Sequence, residues 1–135
     1  MQRPSERLHG HWYWVALGVA LMAFGLRIAL QPNPDLTLDF PEGDKLLHAA
    51  GFACLMGWWG NLYTRRWARG WAALGCLIYG ALVEVVQWFS PPRTADVQDV
   101  LADGVGIGIA LLLLRTPLAS VLASVERGLR RWRAD

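Results

Sequence analysis

The sequence predicts an all-α protein, a bundle of four transmembrane helices that ends in an amphipathic helix lying at the membrane interface. Three observations predict this fold: an apolar composition, four apolar stretches of membrane-spanning length, and basic residues confined to alternate connections. Of the 135 residues, 54% are hydrophobic and only 18% are charged. A soluble domain of this size needs a more polar surface, so this balance is typical of a chain surrounded mostly by lipid.

The four apolar stretches cover about residues 12–30, 46–63, 71–89 and 97–114. Each is close to the ~20 residues that cross a bilayer core as a helix. No linker rich in Ser or Pro divides the chain, so we expect one domain over residues 1–135. The alternative for the first stretch is a cleaved signal peptide, since Arg3 and Arg7 precede it. Its length, and Arg27 near its end, favour a retained helix.

The basic residues predict the orientation. They lie in the N-terminal tail, in the second connection and in the C-terminal tail, whereas the first connection is acidic, with Asp35, Asp39 and Glu42. Cytoplasmic segments carry the excess of Lys and Arg. With four crossings, every basic segment falls on one side, so both termini are predicted to be cytoplasmic and the first connection to face outward.

The C-terminal segment, residues 117–133, has its own periodicity. Apolar residues recur at intervals of three and four from Leu118 to Trp132, with arginines on the opposite face. This pattern predicts a helix in the cytoplasmic interface, where arginines meet anionic headgroups. The alternatives are a solvated tail or a membrane helix that extends past Pro117.

Polar residues lie on one face of each of the last three predicted helices, near its outer end. Residues three and four apart share a helix face, and the three faces are Asp44, His48 and Gly51; Gly80, Glu84 and Gln87; and Asp99, Asp103 and Gly106, with Asp96 one turn above. A carboxylate at the bilayer centre costs about 2.5–3.5 kcal/mol. We therefore expect these side chains to face one another in an outward polar pocket, with Lys45 and Arg93 supplying positive charge. Gly51, Gly80 and Gly106 would let the helices approach closely.

Several of these residues also have simpler interpretations. Asp44 and Asp96 are alternatively N-caps of their helices, and Lys45 an interfacial anchor. His48 alternatively forms a hydrogen bond with a neighbouring helix. Glu84 and Asp103 have the weakest structural explanations in the sequence. A functional role is therefore favoured for these two residues.

The same positions carry a resemblance to a known family. The motifs are Asp44-Lys45-x-x-His48, Glu84-x-x-Gln87 and Arg93-x-x-Asp96-x-x-Asp99, with Gly106 seven residues further on. In order and spacing this pattern resembles the VanZ-like family from about residue 44 to residue 114. Two positions depart from it: Asp103 stands where the family usually has Asn, and Pro92 where it often has Gly. The resemblance implies a bacterial cytoplasmic-membrane protein, but no particular reaction.

Three functions are compatible with such a pocket. The first is binding of a cell-envelope lipid headgroup, a peptidoglycan-precursor lipid or the polar group of a partner. The second is an intramembrane enzyme, with His48 or Glu84 as general base and Asp99 with Asp103 holding a divalent cation. The third is an ion path, which the apolar inner halves of the helices disfavour. No recognised metal motif is present, so we assign no metal and no cofactor. We expect membrane lipids as partners and no nucleic acid. A homo-oligomer stays open as an alternative, but the sequence gives no interface signal that supports one.

Overall fold

A computed structural model describes residues 8, 10–31, 42–91 and 96–132 of the chain. The described residues form five α-helices and one 3-10 turn: α1 (His11–Ala29), α2 (Gly43–Leu62), α3 (Arg66–Trp88), α4 (Val97–Leu113), the turn (Pro117–Ser120) and α5 (Val121–Trp132). The predicted all-α fold is confirmed. Asp35 and Asp39 of the acidic first connection, and also Arg93, lie outside the described residues.

Two of the described helices, α1 and α3, are each long and apolar enough to cross a membrane. A third candidate is α4 together with the segment Pro117–Trp132, a pair bent by 86°. Although α2 has the necessary length, it is less apolar, since Asp44, Lys45 and His48 occupy its first turns. The described residues thus contain two or three candidate spans.

Helices α2 and α3 begin earlier than their apolar stretches do. Helix α2 begins at Gly43, before its predicted start at residue 46, and α3 begins at Arg66, before its predicted start at residue 71. In both cases polar or charged residues continue the helix beyond its apolar part. Hydropathy marks where a helix meets a polar environment, which need not be where its backbone hydrogen bonding ends.

The helices pack around α2, which shares its largest interface with α4. Two glycines allow this close approach. A Cβ atom at Gly106 would overlap the carbonyl group of Ala49, and one at Gly60 would overlap the side chain of Leu114. Next to this interface lies the apolar core, formed by Phe52, Met56, Cys76, Ile107, Ala110 and Leu114.

Helix α1 is the most peripheral of the long helices, with Gly18 as its one buried residue. This glycine faces the rings of Trp58 and Trp59, which a Cβ atom there would approach within 3.0 Å. The indole N–H of Trp58 also donates a hydrogen bond to the carbonyl of Trp14 at 3.1 Å. These contacts join the first half of α1 to the second half of α2.

Arg69, in the second turn of α3, joins the ends of two other helices. Its guanidinium donates to the carbonyls of Gly60 and Tyr63, both at 2.9 Å, and to that of Leu114 at 3.1 Å. The last carbonyls of a helix have no partner within the helix. Arg69 supplies partners at the C-terminal ends of α2 and α4, a role that the sequence analysis did not anticipate.

The C-terminal segment turns sharply away from α4 after Thr116. The side chain of Leu122 is buried, whereas Val125, Leu129 and Trp132 are exposed. The backbone N–H of Gly10 donates to the carboxylate of Glu126 at 2.8 Å, which joins α5 to the start of α1. Helix α5 therefore contacts the end of the bundle opposite the polar residues at the start of α2 and α4.

Candidate functional site

The polar faces of α2, α3 and α4 meet where α2 and α4 begin and α3 ends. His48 lies there between two aspartates of α4. Its Nδ1 atom lies 2.9 Å from Oδ1 of Asp103, and its Nε2 atom lies 3.8 Å from Oδ2 of Asp99. Asp103 is 0% exposed and Asp99 is 4% exposed. We call these three residues the His48 cluster.

The close packing of the helices explains this arrangement. Asp99 and Asp103 are four residues apart, so they share one face of α4, and that face also carries Gly106. The contact of Gly106 with Ala49 holds α4 against the part of α2 that follows His48 directly in sequence. Gly80 of α3 leaves space for the second carboxylate oxygen of Asp103, which a Cβ atom at that position would displace.

Lys45 and Asp96 form the rim of the site. The ammonium of Lys45 lies 3.4 Å from the Asp96 carboxylate and 3.0 Å from that of Glu42. Asp96 is the N-cap of α4, because its carboxylate accepts the backbone N–H of Gln98 at 2.8 Å. This hydrogen bond, and then the nearby Lys45 ammonium, lower the pKa of Asp96 below its ordinary value of 3.8. The predicted N-cap at Asp96 is observed.

Asp44 is not an N-cap, because α2 begins at Gly43 and Glu42 holds the capping position with a left-handed φ of 69°. Asp44 lies instead in the first turn of α2, where a negative charge is favourable. It is exposed, and one of its carboxylate oxygens lies within 4.8 Å of ligand atoms of His48 and Asp99. The aqueous edge of the His48 cluster is therefore acidic.

Glu84 has a structural partner that the sequence did not reveal. Its Oε2 atom accepts the backbone N–H of Asp96 at 2.9 Å, which joins the last turns of α3 to the start of α4. Gln87 lies one turn further and donates from Nε2 to the carbonyl of Ala29 at 2.9 Å, joining α3 to the end of α1. Both side chains connect helices around the site, and neither has a described hydrogen bond to His48.

Four buried side-chain oxygens have no hydrogen-bond partner among the described residues. They are Oε1 of Glu84, Oε1 of Gln87, Oδ1 of Asp99 and Oδ2 of Asp103. A buried polar atom without a partner costs about 1–3 kcal/mol, and more where it is charged. The site thus has acceptors available for a cation, for water or for donors such as Arg93, which lies outside the described residues.

A cavity of about 420 Å³ extends from the site along α2. Its lining on α2 runs from Asp44 to Trp58, about 21 Å at helical rise, while α1 and α3 supply the opposite walls. Asp44 and His48 lie at one end and the remaining lining is mostly apolar. Gly51 faces this space, with no atom within 4 Å of a Cβ placed there, so it does not show the close packing expected of it.

Tyr79 is a cavity residue that the sequence analysis missed. Its hydroxyl donates to the carbonyl of Met22 at 2.6 Å, across the wall formed by α1 and α3. A tyrosine within an apolar stretch needs a hydrogen-bond partner for its hydroxyl. That requirement is the signal that could have marked it, although the partner itself is distant in sequence.

The fold and the site together define a helical membrane protein with a buried carboxylate–histidine cluster at one end of its bundle. The VanZ/LLP1 family model matches residues 8–120, so the chain belongs to the VanZ/LLP1 family. The predicted family resemblance is confirmed, over a longer part of the chain than the quoted motifs cover. Comparisons with curated proteins and with solved structures gave no match.

Proposed function

We propose that the chain is an integral inner-membrane protein that binds one envelope lipid, with the headgroup at the His48 cluster and an acyl chain in the cavity. The observation that supports this proposal is the shape and chemistry of the cavity. It extends along α2 with a mostly apolar lining, and Asp44 and His48 lie at one end. A volume of 420 Å³ lies within the range of about 300–1,000 Å³ that is usual for small-molecule sites.

The length of the cavity fits an acyl chain. The hydrocarbon core of a bilayer is about 30 Å thick, so one leaflet supplies about 15 Å. The 21 Å from Asp44 to Trp58 accommodates the chain of a lipid whose headgroup remains at the membrane surface. Trp58 is the last residue of α2 in the cavity lining, so a bound chain would end near it.

The proposal includes four spans, with both termini in the cytoplasm. The length of α2 and its central place in the bundle support its insertion beside α1 and α3, despite its polar first turns. The 86° bend before α5 agrees with a helix lying in the interface. A reporter fused after residue 135 should be active only in the cytoplasm, and one inserted at Pro91 only in the periplasm. A periplasmic signal at the C-terminus would contradict the four-span topology.

Lipid binding is tested by filling the cavity without disturbing the helices. Gly51→Leu places a side chain in the open space of the cavity, whereas Gly75→Leu adds the same side chain on α3, where a Cβ atom also meets nothing within 4 Å. Native mass spectrometry of protein purified in mild detergent should show lipid on the wild type and on Gly75→Leu, and at least tenfold less on Gly51→Leu. Equal lipid retention by both variants would refute the proposal.

A second candidate function, an intramembrane enzyme acting on such a lipid, has one observation in its favour. Asp103 forms a hydrogen bond with Nδ1 of His48, so Nε2 is the ring nitrogen that could accept a proton as a general base. Membrane lipids incubated with the wild type should then change in composition, and those incubated with His48→Gln should not. Unchanged lipids in both samples would leave binding as the function.

A further inference from the structure

The His48 cluster, together with Asp44, has the arrangement of a metal-ligand set. One ligand atom from each of Asp44, His48 and Asp99 lies within 4.8 Å of the other two. The three residues come from the first two turns of α2 and the first turn of α4, two helices that Gly106 holds in close contact. The backbone therefore positions the three side chains before any ion binds.

The hydrogen bond to Asp103 determines which nitrogen of His48 is available. Asp103 accepts at 2.9 Å from Nδ1, so that nitrogen carries the proton in the neutral ring and Nε2 has the free lone pair. A histidine that binds metal usually donates its other ring N–H to a carboxylate in this manner. Asp103 is thus a positioning residue and not a ligand, which differs from the pairing of Asp99 with Asp103 that the sequence suggested.

The distance from Nε2 to Asp99 supports a shared cation. At 3.8 Å, Nε2 and Oδ2 are too far apart for a hydrogen bond. Two ligands at about 2.1 Å from one tetrahedral zinc ion lie about 3.4 Å apart. A small adjustment of either side chain would bring both atoms to an ion between them.

A second observation that points to a ligand is the state of the Asp99 carboxylate. Asp99 is 4% exposed, and its Oδ1 atom has no hydrogen-bond partner among residues 8, 10–31, 42–91 and 96–132. A buried carboxylate needs a counter-charge, because the loss of hydration costs several kcal/mol. A divalent ion at Nε2 would supply that charge, and the exposed Asp44 gives it a path from water.

We propose that Asp44, His48 and Asp99 bind a divalent transition-metal ion of the zinc type, with Asp103 orienting His48. One imidazole nitrogen and two carboxylates favour Zn²⁺ over Mg²⁺ or Ca²⁺, which prefer ligand sets made of oxygen only. Three protein ligands leave a fourth position for water. The metal site shares His48 and Asp99 with the proposed headgroup position, but it does not rest on lipid binding, because the three ligand atoms come from the protein alone.

The test is calorimetric titration of tag-free protein in detergent, after removal of metal with a chelator. Wild type should bind about one Zn²⁺ per chain and should bind Mg²⁺ at least a hundredfold more weakly. His48→Gln should lose the site, whereas the matched control His11→Gln, at the opposite end of the bundle, should keep it. Asp103→Asn should bind zinc about 10–100-fold more weakly, as expected of a group that acts through a ligand.

A variant at the exposed rim keeps the test decisive if His48→Gln does not fold. Asp44→Asn removes a ligand charge at a surface position and should weaken zinc binding at least tenfold without lowering the melting temperature of the metal-free protein. Absence of saturable zinc binding by the wild type would overturn the proposal. So would equal zinc affinities of wild type and Asp44→Asn. Lipid retention, measured separately on metal-free protein, shows whether the lipid proposal holds whatever the zinc result.

Discussion

The contact between Gly106 and Ala49 is the point at which helix packing and the site are most directly coupled. A Cβ atom at Gly106 would lie 2.9 Å from the carbonyl carbon of Ala49 and 3.0 Å from its Cα. Because carbon atoms pack best at about 3.5–4.0 Å, and the Ala49 carbonyl oxygen would be closer still, Gly106→Ala must separate α2 from α4 by about 1 Å or more. Such overpacking usually costs about 1–3 kcal/mol.

Gly108→Ala is the matched control for this change. It lies in the same helix, where a Cβ atom meets nothing within 4 Å. Both substitutions gain the same helix propensity, up to about 1 kcal/mol, so the difference between them isolates the packing cost. At about 4 °C per kcal/mol for a chain of this size, Gly106→Ala should melt about 4–12 °C below Gly108→Ala.

Thermal unfolding in detergent, followed by circular dichroism, measures this difference. The separation of α2 and α4 should also lengthen the 2.9 Å hydrogen bond between His48 and Asp103 beyond hydrogen-bonding distance. Equal melting temperatures for the two alanine variants would mean that α2 and α4 are not in contact at Gly106.

Three further predictions concern single side chains around the bundle. Arg69→Lys should lower the free energy of unfolding by about 2 kcal/mol, because the single nitrogen of lysine cannot replace donors at both Nε and Nη1, which bond to different helix ends, while the exposed Arg66→Lys should have little effect. Comparable unfolding curves for the two lysine variants would contradict that role. Folding lowers the pKa of Asp96, so its ionised carboxylate stabilises the folded protein. This stabilisation is fully present above the pKa that Asp96 has in the unfolded chain, and it is lost as pH falls through the lower pKa of the folded protein. The stability difference between wild type and Asp96→Asn should therefore narrow from about pH 5 to about pH 3, and a constant difference would show that the carboxylate charge is not involved. Tyr79→Phe should cost about 0.5–1.5 kcal/mol through loss of the hydrogen bond to α1, measured by chemical unfolding against the exposed Tyr13→Phe, and equal costs for both would contradict it.

Much of the fold follows from patterns that are local in sequence. Apolar stretches predicted the helices, and intervals of three and four residues correctly placed His48 on one face of α2 and Asp99 with Asp103 on one face of α4. Helix starts were less predictable, because Arg66 and its neighbours continue α3 beyond its apolar part. Hydropathy has no term for a charged residue that extends a helix out of the membrane.

The parts of the site that could not be predicted depend on contacts between residues distant in sequence. The partners of Glu84 and Gln87 are backbone groups of other helices, which no side-chain pattern encodes. The basic residues of the second connection predicted only the orientation of the chain, although one of them, Arg69, donates to three carbonyls at the ends of two helices. Gly51 lies on the predicted face, yet that part of the face borders a cavity and not a neighbouring helix.

Lipid binding in the cavity is tested most directly by locating a bound lipid along the chain. A phospholipid with a photoactivatable diazirine on its acyl chain can be incorporated with the protein into bilayers, cross-linked, and its adducts mapped by mass spectrometry. If a lipid chain occupies the cavity, adducts should concentrate on the cavity wall, at Met22, Leu55 and Val83, and should be lost in Gly51→Leu but not in Gly75→Leu. Adducts confined to outward-facing residues such as Leu82 and Leu112, with the cavity wall unlabelled, would contradict lipid binding in the cavity.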